Sequence, residues 1–92
     1  MLEFLTDKKM KKQLWSLIIA SKGFGLTDEQ IEFPLELVEN HEFGEAVHIL
    51  AMRIYELDVE ITGKFYEQIS ELAAKMQIDE KEYAFIKEQI KN

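Results

Sequence analysis

Two histidines bound the chemistry open to this 92-residue chain: His41 and His48, seven residues apart, with Glu45 between them. On a helix that spacing puts the three side chains roughly on one face, where they resemble a three-ligand metal site. Glu45-x-x-His48 is also one half of the motif that di-iron bundles need twice. The second half needs another histidine, and the chain has none. His48 therefore reads as a boundary or surface residue and no metal is expected. A histidine base needs an accompanying nucleophile or oxyanion loop, and no Gly-rich phosphate cradle or serine elbow is present. Among eighteen acidic residues some carboxylate pairs arise by chance. The residues predict neither an enzyme nor a cofactor; were there turnover, His48 and Glu45 would carry it.

The element that positions these groups is a central helix over residues 41–57. Phe43, Ala46, Val47, Leu50, Ile54 and Leu57 step by three, one, three, four and three residues, the spacing of one wide apolar face. Carboxylates crowd both ends: Glu39, Glu42 and Glu45 at the start, Glu56, Asp58 and Glu60 at the finish. Gly44, early in this helix, costs about 0.5–1 kcal/mol relative to alanine. Close helix packing, or an opening turn that tolerates it, is the favoured reason; exposure of backbone to a partner is the other. Tyr55 beside the Glu56/Asp58 rim suits either plain packing or an interface hot spot.

The rest of the chain reads as further helices. Thr6-Asp7 predicts an N-cap for a first helix with Met10, Leu14, Leu17 and Ile18 on one face and Trp15 and Ile19 beside it. Lys8, Lys9, Lys11 and Lys12 then fall near its start, where the macrodipole disfavours cations. Gly23 is expected to end it in a left-handed cap. Thr27 to Gln30 forms a capping box with Leu26 and Ile31 as staple. Pro34 predicts a break, with one turn at 28–32 and a restart at Pro34 that turns Leu35 and Val38 inward. Asn40 is expected to end that helix left-handed and to cap the next. Thr62 caps a helix with Phe65, Ile69, Leu72, Ala73 and Met76 on its buried stripe. Asp79, boxed by Glu82 and stapled by Ile78 and Tyr83, starts a last helix that brings Tyr83, Ile86 and Ile90 inward. No segment alternates with period two. The fold class is all-α: one domain, residues 1–92, four main helices plus one short or Pro-broken helix, in an irregular orthogonal or an up-and-down bundle.

Hydrophobic residues at 47% exclude intrinsic disorder, and the absence of cysteine excludes disulfides and thiolate metal sites. No run approaches the length of a membrane span. The N-terminal lysines and apolar run lack a small-residue cleavage site, so a soluble cytoplasmic protein is expected. The net charge of −7 is divided: residues 1–26 carry five lysines against two acids, and residues 27–92 carry six bases against sixteen acids. Such a field repels nucleic acid and anionic membranes and speeds encounter with a basic partner. Plain solubility is the simpler reading of the same charge.

The runs Asn40-His-Glu-Phe-Gly-Glu-Ala-Val-His-Ile-Leu50, Ile54-Tyr-Glu-Leu-Asp-Val-Glu-Ile61 and Tyr66-Glu-x-Ile-x-x-Leu72 resemble the MafI/CdiI-type immunity proteins. These are small helical proteins encoded beside bacterial polymorphic toxins, EndoU-type ribonucleases of contact-dependent growth inhibition systems among them. Glu42, Phe43, Gly44, Ala46, Leu50, Tyr55 and Glu56 match the family pattern. Asn40-His41 stands where a glycine is common, and Val47-His48 where Leu-Glu is usual. The resemblance covers residues 27–92. It implies a toxin inhibitor that binds a cognate C-terminal toxin domain, a basic nuclease, and neutralises it by stoichiometric occlusion. It also implies that partner-binding residues lie among Glu39, Glu42 and Glu45 at one rim or Tyr55, Glu56, Asp58 and Glu60 at the other. The two rims stand about 25 Å apart, so one toxin site uses one of them. The Tyr55–Glu60 end is preferred because Val59 and Ile61 would add apolar contact. A helical adaptor or regulatory module that binds another protein, or itself, through an exposed apolar groove is the alternative function.

Overall fold

Four α-helices follow one another along the described residues: α1 (Leu2–Ala20), α2 (Asp28–Glu39), α3 (Phe43–Glu56) and α4 (Gly63–Lys75). The computed structural model describes the backbone of residues 2–91 and the side chains of residues 7–91. α1 begins at Leu2, so Thr6 lies inside the helix and does not cap it; its side chain is outside the described residues. Lys8 to Lys12 consequently stand beyond the first turn, where the macrodipole penalty has faded. α1 runs into a 3-10 turn, Ser21–Phe24, and the left-handed residue is Gly25 (φ 118°), with Gly23 inside the turn.

The Thr27 capping box forms as the sequence predicts: Thr27 Oγ1 accepts from the Gln30 amide (3.2 Å), and Gln30 Oε1 accepts from the Thr27 amide (2.9 Å). The break at Pro34 does not occur. α2 runs through it unbroken, with Pro34 buried and Leu37 and Val38 facing the core; Leu35 is only partly buried. A proline at position 34 leaves the Gln30 carbonyl without its i+4 donor. Arg53 of α3 supplies the missing donor, its Nε reaching the Gln30 carbonyl at 3.2 Å.

Three of the helices end the same way. His41 (φ 59°), Asp58 (φ 51°) and Gln77 (φ 59°) are left-handed. Around them the amides of Glu42, Val59 and Ile78 reach back to the carbonyls of Leu37, Ile54 and Ala73 (2.9, 2.9 and 2.8 Å). This is the Schellman closure, usually made by glycine. His41 therefore takes the left-handed place expected of Asn40, whose φ is −89° and ψ 12°. Glu42 caps α3 without a side-chain bond.

α2 and α3 pack as the closest pair, α1 lies against α2 and α4, and the chain after α4 closes over α3. α3 touches α4 only lightly, so the sequence neighbours α3 and α4 are not the packing neighbours that short loops suggest. The core gathers Leu14 and Ile18, Ile31 and Val38, Ala46, Leu50 and Ile54, and Phe65, Ile69 and Ala73. The last helix is replaced by two 3-10 turns, Glu80–Glu82 and Ala84–Gln89. Asp79 caps the first by accepting from the Lys81 amide (2.9 Å). Glu82 closes no box; its carboxylate turns to His48 Nδ1 at 3.1 Å. Tyr83 and Ile86 still reach the core, Tyr83 lying against Tyr66 (ring centroids 6.0 Å apart) and Ser70 of α4. One parallel bridge ties the tail back, with the Ile61 amide on the Gln89 carbonyl (2.9 Å) and the Lys91 amide on the Ile61 carbonyl (2.8 Å). No helix among the described residues is long and apolar enough to cross a membrane.

Candidate partner-binding surface at the end of the third helix

The last turn of α3 decides what its C-terminal rim presents. In a Schellman closure the residue after the left-handed position folds back onto the helix. Here that residue is Val59, which is buried, and Ile61 follows it into the core. Ile61 is closed to a partner and Val59, 9% exposed, only edges a hollow there, contrary to the sequence expectation. Leu57 changes places with them: the apolar arithmetic turns it inward, but the helix ends at Glu56 and leaves it 46% exposed.

Leu57 separates two hollows. One, of about 460 Å³, lies between Phe24, Gln30 and the stretch Leu57–Glu60. The other, of about 300 Å³, is lined by Glu29, Gln30, Arg53, Glu56 and Leu57. Glu29, Glu56, Asp58 and Glu60 thus bring four carboxylates to the walls around one exposed leucine. The one cation lining these hollows, Arg53, is engaged with the Gln30 carbonyl. Asp58 is fixed twice, by its backbone closure and by Gln89 Nε2, which donates to Asp58 Oδ1 (2.9 Å) and to the Val59 carbonyl (3.1 Å). Apolar centre and polar rim is the anatomy of a protein interface. Tyr55 is equally exposed but stands about 200° around the helix from Leu57. Its ring rests edge-on against Phe85, centroids 5.6 Å apart.

The other rim is dispersed. Glu39 pairs with Lys11 Nζ (3.5 Å) of α1. Glu42 sits on the loop, exposed. Glu45 faces a third hollow with Gly44, His48, Asp79 and Glu82. The two histidines are turned to different neighbours, His41 to the Phe43 ring (5.5 Å) and His48 to Glu82 and the Phe85 ring (6.3 Å). Among the described residues no three His, Cys, Asp or Glu side chains converge as a metal site. Close packing is not what Gly44 supplies: a Cβ there would meet only Ile78 Cγ1, at 4.0 Å. Away from the rims, burial raises the Tyr66 phenol above its ordinary value, and Tyr83 and Glu80 push the same way.

Sequence reasoning missed Leu57, Glu29, Gln30 and Phe24 as parts of this surface. The signal for Leu57 was an apolar, acidic, apolar run across a helix end, which the Schellman pattern resolves once the end is placed. The others reach the site only through the α2–α3 pairing. Comparison with protein-family models, with curated proteins and with solved structures finds no match to this chain.

Proposed function

We propose that this chain is an immunity protein that binds the C-terminal domain of a cognate bacterial toxin, a basic nuclease of a contact-dependent inhibition system, and silences it by occlusion. The observation that carries the reading is Leu57, exposed amid Glu29, Glu56, Asp58 and Glu60 on a chain of net charge −7. A nuclease cleft is built to hold phosphates, and carboxylates present the same sign of charge to it. Long-range attraction raises the encounter rate, and burial of a central leucine away from water supplies the short-range hold. No bond is made or broken; inhibition is one to one and lasts as long as the complex.

Co-expression with the toxin domain encoded immediately upstream tests this. The expected result is a stable equimolar complex without ribonuclease activity. Leu57→Asp combined with Glu56→Lys should weaken it at least about a hundredfold, since burying a leucine contributes about 1.5–3 kcal/mol and the second change places a cation against a basic partner, whereas Glu39→Lys with Glu42→Lys should change affinity less than about threefold. Absence of a complex, or loss only on changing Glu39 and Glu42, would overturn the reading.

A further inference from the structure

A groove of about 610 Å³ runs between α1 and α4, and its character is opposite to that of the rest of the surface. Its floor is Leu17 and Leu72; Lys9, Lys12 and Lys75 stand over it, against one carboxylate, Glu71. From α1 the lining repeats at 9, 12, 13, 16 and 17, and from α4 at 68, 71, 72 and 75. Those are two helix stripes facing a common trough, the shape that takes an amphipathic helix by its i, i+3, i+4, i+7 face. A compact phosphate fits poorly. Both walls are helix interiors, whose amides are already bonded along the helix, and the Lys75 end is the negative end of the α4 dipole. Carboxylates spread along a segment suit three separated ammonium groups better.

One such segment stands exposed among the described residues. On α2, Glu29, Glu32, Phe33 and Glu36 follow at i, i+3, i+4 and i+7, all exposed. Phe33 is 42% exposed, a large apolar ring among acids on a helix that carries no base. Asp28 and Glu39 at the two ends of α2 are paired with Lys22 and Lys11. We propose that the α1–α4 groove receives the Glu32–Phe33–Glu36 face of α2 from a second copy of this chain, with Phe33 over Leu17 and Leu72 and the glutamates between the lysines. Groove and stripe are different surfaces, so the contact is heterologous and each copy retains one unfilled groove or one uncovered stripe unless a ring closes. The groove is separate from Leu57, while the α2 stripe adjoins that surface at Glu29, which lies outside the Glu32–Phe33–Glu36 contact itself.

Sedimentation velocity on the full chain between about 5 µM and 1 mM tests the proposal. At 50 mM NaCl the protein should associate with rising concentration and grow past a dimer, and 500 mM NaCl should weaken this about tenfold by screening the ion pairs. Lys12→Glu with Lys75→Glu removes the groove, and Phe33→Ser removes the knob; each variant alone should stay monomeric while keeping the helical circular dichroism of the parent. Their equimolar mixture should form a pair and stop there, because only one intact groove meets one intact stripe. A monomer at 1 mM in low salt, or association indifferent to these substitutions, overturns the proposal. Inorganic phosphate that shifts Lys12 and Lys75 resonances of a monomeric parent would also overturn it, assigning the groove to a small anion.

Discussion

Replacing Arg53 by methionine tests the account of why α2 survives its proline. The side chain keeps its length and loses the donor to the Gln30 carbonyl. That carbonyl is partly buried and has no i+4 amide, because residue 34 is proline. A polar group left without a partner costs about 1–3 kcal/mol, and a bond from a charged donor contributes at the upper part of that range. Partial exposure at this site lowers the expected loss to about 1–2 kcal/mol. In a chain of this length 1 kcal/mol moves the melting temperature by roughly 4–8 °C. Pro34→Ala supplies the discriminating background. It restores the amide and removes the ring clash, together about 3 kcal/mol in favour of the helix, and gives up roughly 1.6 kcal/mol for two buried methylenes. The single variant should therefore gain about 1 kcal/mol, and Arg53→Met in that background should cost no more than about 0.5 kcal/mol. Urea unfolding followed at 222 nm on all four proteins gives the coupling, expected near 1 kcal/mol. If Arg53→Met costs the same with and without Pro34, the arginine is not replacing the lost helix bond and the reasoning fails.

Gly44→Ala should stabilise by about 0.5–1 kcal/mol, since a Cβ at that position meets only Ile78 Cγ1 at 4.0 Å; destabilisation in the same urea assay would reveal a packing demand. Gln77→Gly should stabilise by a similar amount, about 0.5–1 kcal/mol, by removing a side chain from a left-handed position, and a lowered melting temperature would refute this. Thr27→Ala should cost about 1 kcal/mol through the lost capping box, and Ser at the same position should restore most of it. Tyr66 is held protonated by its burial. Its folded value lies above the unfolded one, so its stabilisation is complete below the ordinary tyrosine value and is lost as pH rises through the folded value. Tyr66→Phe should flatten the fall of melting temperature in strongly alkaline solution, and an unchanged alkaline slope would refute it.

What the sequence made legible was whatever is settled within a few residues. The Thr27 box and the Thr62 cap, whose Oγ1 accepts from the Phe65 amide at 3.0 Å, form as read, and so do the middles of the two stripes, Ala46 to Ile54 on α3 and Phe65 to Ala73 on α4, while Phe43 and Met76 are only partly buried and Leu57 is exposed. What it concealed depended on partners far along the chain. Pro34 reads as a break because its rescuer is nineteen residues away on α3. The last segment carries a sound cap at Asp79, but Glu82 faces His48 instead of closing the box, and two 3-10 turns stand where one α-helix was read. For the candidate surface, the acidic end of α3 was visible and its apolar centre was misplaced by two residues. Left-handed Asp58, an uncommon conformation for a residue with a side chain, exchanged Leu57 for Val59.

Gln89 holds the Asp58–Val59 turn from thirty residues downstream, and the Gln89 carbonyl and Lys91 amide grip Ile61 beside it. During synthesis α1, α2 and α3 can pair as soon as they emerge, while this turn waits for the tail. Ribosomes add roughly 5–20 residues per second, so the proposed recognition end takes its final shape seconds after the helix that bears it. The end of the molecule proposed to meet a partner is thus closed locally by the Val59 amide on the Ile54 carbonyl, and its clamp from Gln89 and Lys91 is added last.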